Sequence, residues 1–192
     1  MPFSIEMPQM ITTYTAIAKL LHWGMALVLA GLIALGFVMT DLPLSPEKLQ
    51  YYAWHKWAGV SVFVLVWLRL VWRVLNPPPA YPSTMSPLIK GVAHWGHTVL
   101  YSLMIVIPVS GWLMSSAKGV PTVWFGVLPL PDLLEKDKAL GHFLKEVHEA
   151  LNYLLLLLLA GHVAAALKHH WIDKDDILNR MLPRRSKPKD NT

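Results

Sequence analysis

The chain has 192 residues, of which 54% are hydrophobic and 15% charged, with a net charge of +5 and a mean hydropathy of +0.41. A soluble domain carries roughly 25% charged residues, so this composition excludes an ordinary water-covered globule and fits a chain solvated by lipid. The absence of cysteine excludes disulfides, thiolate iron–sulfur clusters, zinc–thiolate sites and haem attached through a Cys pair.

Four apolar stretches, at about residues 16–39, 52–75, 92–117 and 147–167, each have the length of a membrane-spanning helix, which needs about 20 residues. The expected fold class is therefore all-α, an integral membrane four-helix bundle in one domain. The first stretch reads as a span and not as a cleaved signal, being too long for that and followed by three more. Lys56, Arg69 and Arg73 interrupt the second stretch near its ends, where long cations can reach the interface. Asn76 and Pro77, Pro78 and Pro79 stop it, and Pro108 and Gly111 lie inside the third. Lys and Arg gather on the side that holds both termini, including the basic tail 173–192, expected to be a solvated end. The positive-inside rule then puts both termini in the cytoplasm. Nucleic acid is a poor partner for such a chain.

The nine histidines carry the chemistry. His148 and His162 are fourteen residues apart on the fourth span, a separation of about 21 Å that returns to within about 40° of the same face. His22 lies at the inner depth on the first span and His55 at the outer depth on the second. The expected pairs are His22 with His162 and His55 with His148. Two imidazoles fill both axial positions of a haem iron, an arrangement suited to electron transfer because no position is left for substrate, and the bundle core is a usual place for such a cofactor. The four histidines are thus candidate iron ligands of two haem b groups. Ionisable residues in spans are functional candidates by default, although each alone could simply make a structural hydrogen bond. Glu146 and Glu149 flank His148 and leave open another metal at the outer mouth.

Arg69 and Arg73, one turn apart, could pair with haem propionates or serve as inner anchors. His94 and His97 share a helix face near the inner end, where they could line the inner haem, shape a quinone pocket or anchor at the interface. His169, seven residues after His162, falls near the same face at the boundary, where it could donate to a quinone carbonyl and pass protons. Gly31, Gly59, Gly111 and Gly161 could allow close approach of a haem or helix.

Over about residues 13–183 the chain resembles the bacterial cytochrome b561 family. The resemblance rests on an ordered set of short motifs: AKLLHW around His22, WHKWAG around His55, RLVWR at Arg69, AHWGH at His94, EVHE at His148, GHVAAALKHH from His162, and KDDILNRM in the tail. It implies a di-haem b cytochrome of the bacterial inner membrane, with His22, His55, His148 and His162 as axial ligands, exchanging electrons with ubiquinone. One branch of the family is superoxide oxidase-like, an oxidoreductase that passes an electron from periplasmic superoxide to ubiquinone; Lys56 would then help attract the anion. The other expectation is an electron-conducting subunit linking the quinone pool to a periplasmic redox partner. A cofactor-free transporter is disfavoured by the lack of an inverted repeat.

Overall fold

The computed structural model describes residues 13–183. Four long helices run α1 Ala16–Asp41, α2 Pro46–Leu75, α3 Pro87–Ala117 and α4 Lys138–Trp171. All four are long and apolar enough to cross a membrane. Their starts follow from local sequence. Thr15, Ser45 and Ser86 accept the backbone N–H groups of Ala18, Lys48 and Ile89, and Asp137 accepts those of Ala139 and Leu140; each satisfies donors that a helix start leaves open. Pro46 and Pro87 directly follow their capping serines, a position where the missing N–H costs nothing. The helices outrun the apolar stretches. The first connection shortens because residues 46–51 join α2, and residues 138–146 add turns to α4.

Successive helices pack side by side, α3 most extensively against α4 and α1 against α2. α1 and α4 also meet through side chains, His22 with His162 and Phe37 with Tyr153. Two small buried clusters fill the middle of the bundle: Met25, Val62, Val66 and Met104, and beside them Leu100, Leu103, Ile107 and Leu155. Much of the rest faces outward, as with Leu20, Leu27 and Val74, each more than 70% exposed. An apolar exterior around a thin core is what lipid permits and water does not.

The long third connection is ordered. Two-residue strands β1 Val123–Trp124 and β2 Leu128–Pro129 pair antiparallel, and Phe125 and Gly126 make the turn with positive φ. Side chains of α2 anchor this hairpin. The Trp57 indole donates to the Val123 carbonyl at 2.6 Å, and Trp124 Nε1 donates to the Trp57 carbonyl and Ser61 Oγ at 3.2 Å each. At about 1 kcal/mol per hydrogen bond, the double variant Trp57→Phe/Trp124→Phe should lose about 2 kcal/mol. Thermal unfolding in detergent should show a Tm lower by several degrees with helix content unchanged.

The described part of the basic tail, expected to be a solvated end, carries a further helical turn. Residues Ile177–Met181 form a short helix, α5, folded back onto the start of the bundle. Trp23 Nε1 donates to the Met181 carbonyl at 3.0 Å, Arg180 Nη1 to the Ala80 carbonyl at 2.6 Å, and the Tyr14 N–H to the Arg180 carbonyl at 3.3 Å. The first and last described segments and the Pro-rich connection are thus tied together at one end. The remainder of the tail, residues 184–192, lies outside the described residues.

Candidate haem-binding core

The four candidate ligands come together as two pairs at two levels. His55 on α2 faces His148 on α4 with ring centres 6.4 Å apart and planes at 75°. His22 on α1 faces His162 on α4 at 6.2 Å and 68°. Two in-line metal–imidazole bonds of about 2 Å each hold ring centres roughly 6 Å apart, so both spacings suit a metal between the rings. The buried clusters of the bundle separate the two levels.

The outer pair borders a cavity of about 230 Å³ between the helices, lined by Gly36, Gly59, Pro108 and Asn152 among others. His148 Nδ1 lies 3.1 Å from the Ile107 carbonyl and 2.9 Å from Ser110 Oγ, and Ser110 itself donates to that carbonyl at 2.7 Å. A carbonyl only accepts, so Nδ1 carries the proton and the Nε2 lone pair is available to a metal. His55 Nδ1 is buried without a well-formed hydrogen bond, near the Leu32 backbone; a buried polar atom so placed calls for a partner. A Cβ at Gly111 would lie 3.1 Å from His148 Cε1, and one at Gly36 would lie 3.6 Å from His55 Cε1. The outer pair therefore fits a bis-histidine haem in donor atoms and spacing, with small residues clearing both rings. Of the other glycines singled out from sequence, a side chain at Gly31, Gly59 or Gly161 would meet open space.

The inner pair matches in spacing but differs in hydrogen bonding. Arg69 Nη2 lies 2.9 Å from His22 Nδ1, and its guanidinium carbon sits 5.3 Å from the Tyr101 ring centre. Arginine only donates, so a neutral His22 bonded this way has its proton on Nε2. Binding iron through that atom requires Arg69 to release Nδ1. The sequence suggested Arg69 as a propionate partner or an inner anchor; in the structure its guanidinium lies against the His22 imidazole. Arg73 is half-buried one turn further along α2. His97 joins the inner pair, its ring 5.4 Å from that of His162, whereas His94 is exposed beside Trp95. The spacing of His94 and His97 marked one face, but only the packing of α3 against α4 separates an inward imidazole from an outward one.

At the outer mouth, Lys56, Lys118 and Lys145 line the cavity with Glu149. Lys145 pairs with Glu149 at 2.6 Å, and Lys56 donates to the Val120 and Pro121 carbonyls. Burial, with Lys145 nearby, holds the Lys118 ammonium below its usual pKa. At the other end of α4, His169 Nδ1 lies 2.6 Å from Asp175 and 3.2 Å from Asp173. Neither aspartate figured in the sequence reading of this histidine; Asp173 stands at the helical i,i+4 spacing that could have marked it, whereas the turn that returns Asp175 leaves no periodic signal. Ser110 escaped notice as well; a hydroxyl next to Gly111 in an apolar span was the available clue.

Four lipid-facing helices around paired, inward-facing imidazoles define a multi-pass membrane b-type cytochrome of electron transfer. Residues 13–184 match the family model described as "Prokaryotic cytochrome b561", and the chain belongs to that family, a bacterial membrane family whose cofactor is haem b. It is 36% identical over 180 residues to "Cytochrome b561 homolog 2" of Escherichia coli K12, covering 90% of this chain and 93% of that protein. It is 32% identical over 140 residues to "Probable superoxide oxidase CybB" of Yersinia pestis, covering 71% and 79%. "Cytochrome b561 homolog 1" of Escherichia coli K12 is 33% identical over 140 residues, covering 68% and 74%.

Proposed function

We propose that this cytochrome holds two haem b groups, between His55 and His148 and between His22 and His162, and oxidises superoxide on the outer side while reducing ubiquinone near the inner side. The observation that carries the reading is the pair of matched imidazole spacings, 6.4 and 6.2 Å, at two levels of one bundle. Haem supplies one-electron redox chemistry that the side chains lack. The chain's own part is to hold, orient and shield. His148 is aimed by Ile107 and Ser110, and the buried clusters exclude water between the levels. The three lysines at the outer mouth, opposed there by one glutamate, favour a small anion. The similarity to a probable superoxide oxidase points to the same donor. The cationic residues at the terminal end support a cytoplasmic position for both termini. Quinone then meets the protein near His169, with Arg69 and Arg73 at the same end supplying positive charge toward the inner haem propionates.

The experiment has two stages on detergent-purified protein. A reduced-minus-oxidised spectrum with haem quantified per chain should give two b-type haems; a spectrum without haem, from cells supplied with haem precursor, ends the reading. Superoxide generated enzymatically should then reduce a soluble ubiquinone, and superoxide dismutase should abolish that reduction. Two haems with no superoxide-dependent quinol, together with stable co-purification of a soluble redox protein, would favour the electron-conducting subunit.

A further inference from the structure

We infer that Asp175 is the positioning residue of His169, fixing the imidazole with its proton on Nδ1 so that Nε2 is the nitrogen that hands protons to bound quinone. The inference rests on the quinone reading above and concerns how that site is built.

His169 occupies the last turn of α4, and its side chain is only 15% exposed. Beyond Trp171 the chain reverses. Lys174 takes a left-handed conformation, φ 52°, and the Asp175 N–H donates to the His169 carbonyl at 3.1 Å. This turn brings the Asp175 carboxylate back under the imidazole. Its Oδ2 sits 2.6 Å from His169 Nδ1, and its Oδ1 accepts the Ile177 N–H at 3.0 Å. With both oxygens engaged, the carboxylate is held in place. An ionised carboxylate only accepts, so the proton on the imidazole lies at Nδ1, and Nε2, across the ring, is left for exchange. Asp173 Oδ2 approaches Nδ1 at 3.2 Å, but Lys168 Nζ holds both Asp173 oxygens, at 2.7 and 2.6 Å. Asp175 is therefore the closer partner and, among the described residues, the one without an ammonium against it, and Asp173 with Lys168 forms an outer rim. The ties of α5 to Trp23, Ala80 and Tyr14 keep the turn in register with the bundle.

With a carboxylate holding the proton at Nδ1, Nε2 is the nitrogen that takes up a second proton and passes it on, which makes the exchange directional. Reduction of quinone to quinol consumes two electrons and two protons. Two superoxide ions supply one electron each and leave as two molecules of dioxygen. For each proton, water on the cytoplasmic side first protonates Nε2, giving an imidazolium held by the Asp175 carboxylate; Nε2 then passes that proton to a quinone oxygen and the ring returns to the neutral Nδ1–H form.

Nitrogen-15 NMR of ring-labelled histidine in the intact haem-loaded protein, with the His169 signal assigned against His169→Ala, should show the Nδ1–H tautomer. Asp175→Asn should abolish that preference and Asp175→Glu should restore it. In steady state, Asp175→Asn should lower kcat for quinone reduction tenfold or more with KM for quinone within twofold and the haem spectrum unchanged, and Asp175→Glu should recover most of the loss. An Nε2–H tautomer in the parent protein overturns the inference even if Asp175→Asn fails to assemble. So does an Asp175→Asn protein with the parental kcat, or one altered only in KM. If His169→Ala itself leaves quinone reduction intact, the failure belongs to the placement of quinone beside His169.

Discussion

Alanine at His148 should halve the haem bound by the purified protein, from two per chain to one, and alanine at His162 should do the same. The double variants carry the sharper expectation. His55→Ala/His148→Ala removes both members of one pair and should lose no more haem than either single change. His22→Ala/His148→Ala takes one member from each pair and should leave the chain without haem. This pattern is non-additivity within a shared site and additivity between separated ones. It follows from the 6.4 and 6.2 Å ring spacings and from the core that stands between the two levels. Haem per chain, read as the pyridine adduct, decides it. Equal losses in both double variants would refute the pairing.

Gly111→Val should weaken haem binding at the outer site while leaving the inner one unchanged. The new Cβ would stand 3.1 Å from His148 Cε1 and 3.4 Å from Nδ1, and the ring cannot give way freely because Ile107 and Ser110 hold Nδ1. Turning the imidazole about 30° from its rotamer costs of order 1 kcal/mol, and breaking its hydrogen bond costs about as much again. Together these amount to a tenfold or greater fall in outer-site affinity. Gly36→Ala is the matched control. Its Cβ would lie 3.6 Å from His55 Cε1, an ordinary contact, and haem content should hold. Loss of haem in both variants would mean that bulk near the cavity, and not the set of His148, governs binding.

The spans were legible because lipid imposes one long, simple constraint, about 20 apolar residues in a row, that no tertiary contact is needed to express. The levels of the histidines were legible for a related reason: a straight helix converts a spacing of fourteen residues directly into depth and face. Residues whose roles depend on contacts between distant segments were not. Arg69 carries the same charge whether it points to lipid headgroups or onto His22, and only the packing of α1 against α2 chooses. The hairpin at Val123–Pro129 has two residues per strand, too few for alternation to register, and it owes its place to indoles of α2 and of its own first strand. The fold-back of the tail's first part was not legible because its charge gives no sign of it. Its short helix is fixed largely by backbone carbonyls at Ala80, Arg180 and Met181, which hydropathy does not count.

The fourteen residues between His148 and His162 also set an electrical distance. About 21 Å along α4 is some two-thirds of a hydrocarbon layer about 30 Å thick, so a charge moved between the two levels crosses a similar share of the transmembrane field. At about 2.3 kcal/mol per charge per 100 mV across the whole membrane, the share is about 1.6 kcal/mol. In the proposed orientation an electron travelling inward moves toward the negative face. An energised membrane therefore opposes quinone reduction from outside and favours the reverse flow, while each inward turnover adds to the membrane voltage. On the proposed function, the length of one helix would thus make the exchange between donor and quinone answer to the energetic state of the cell.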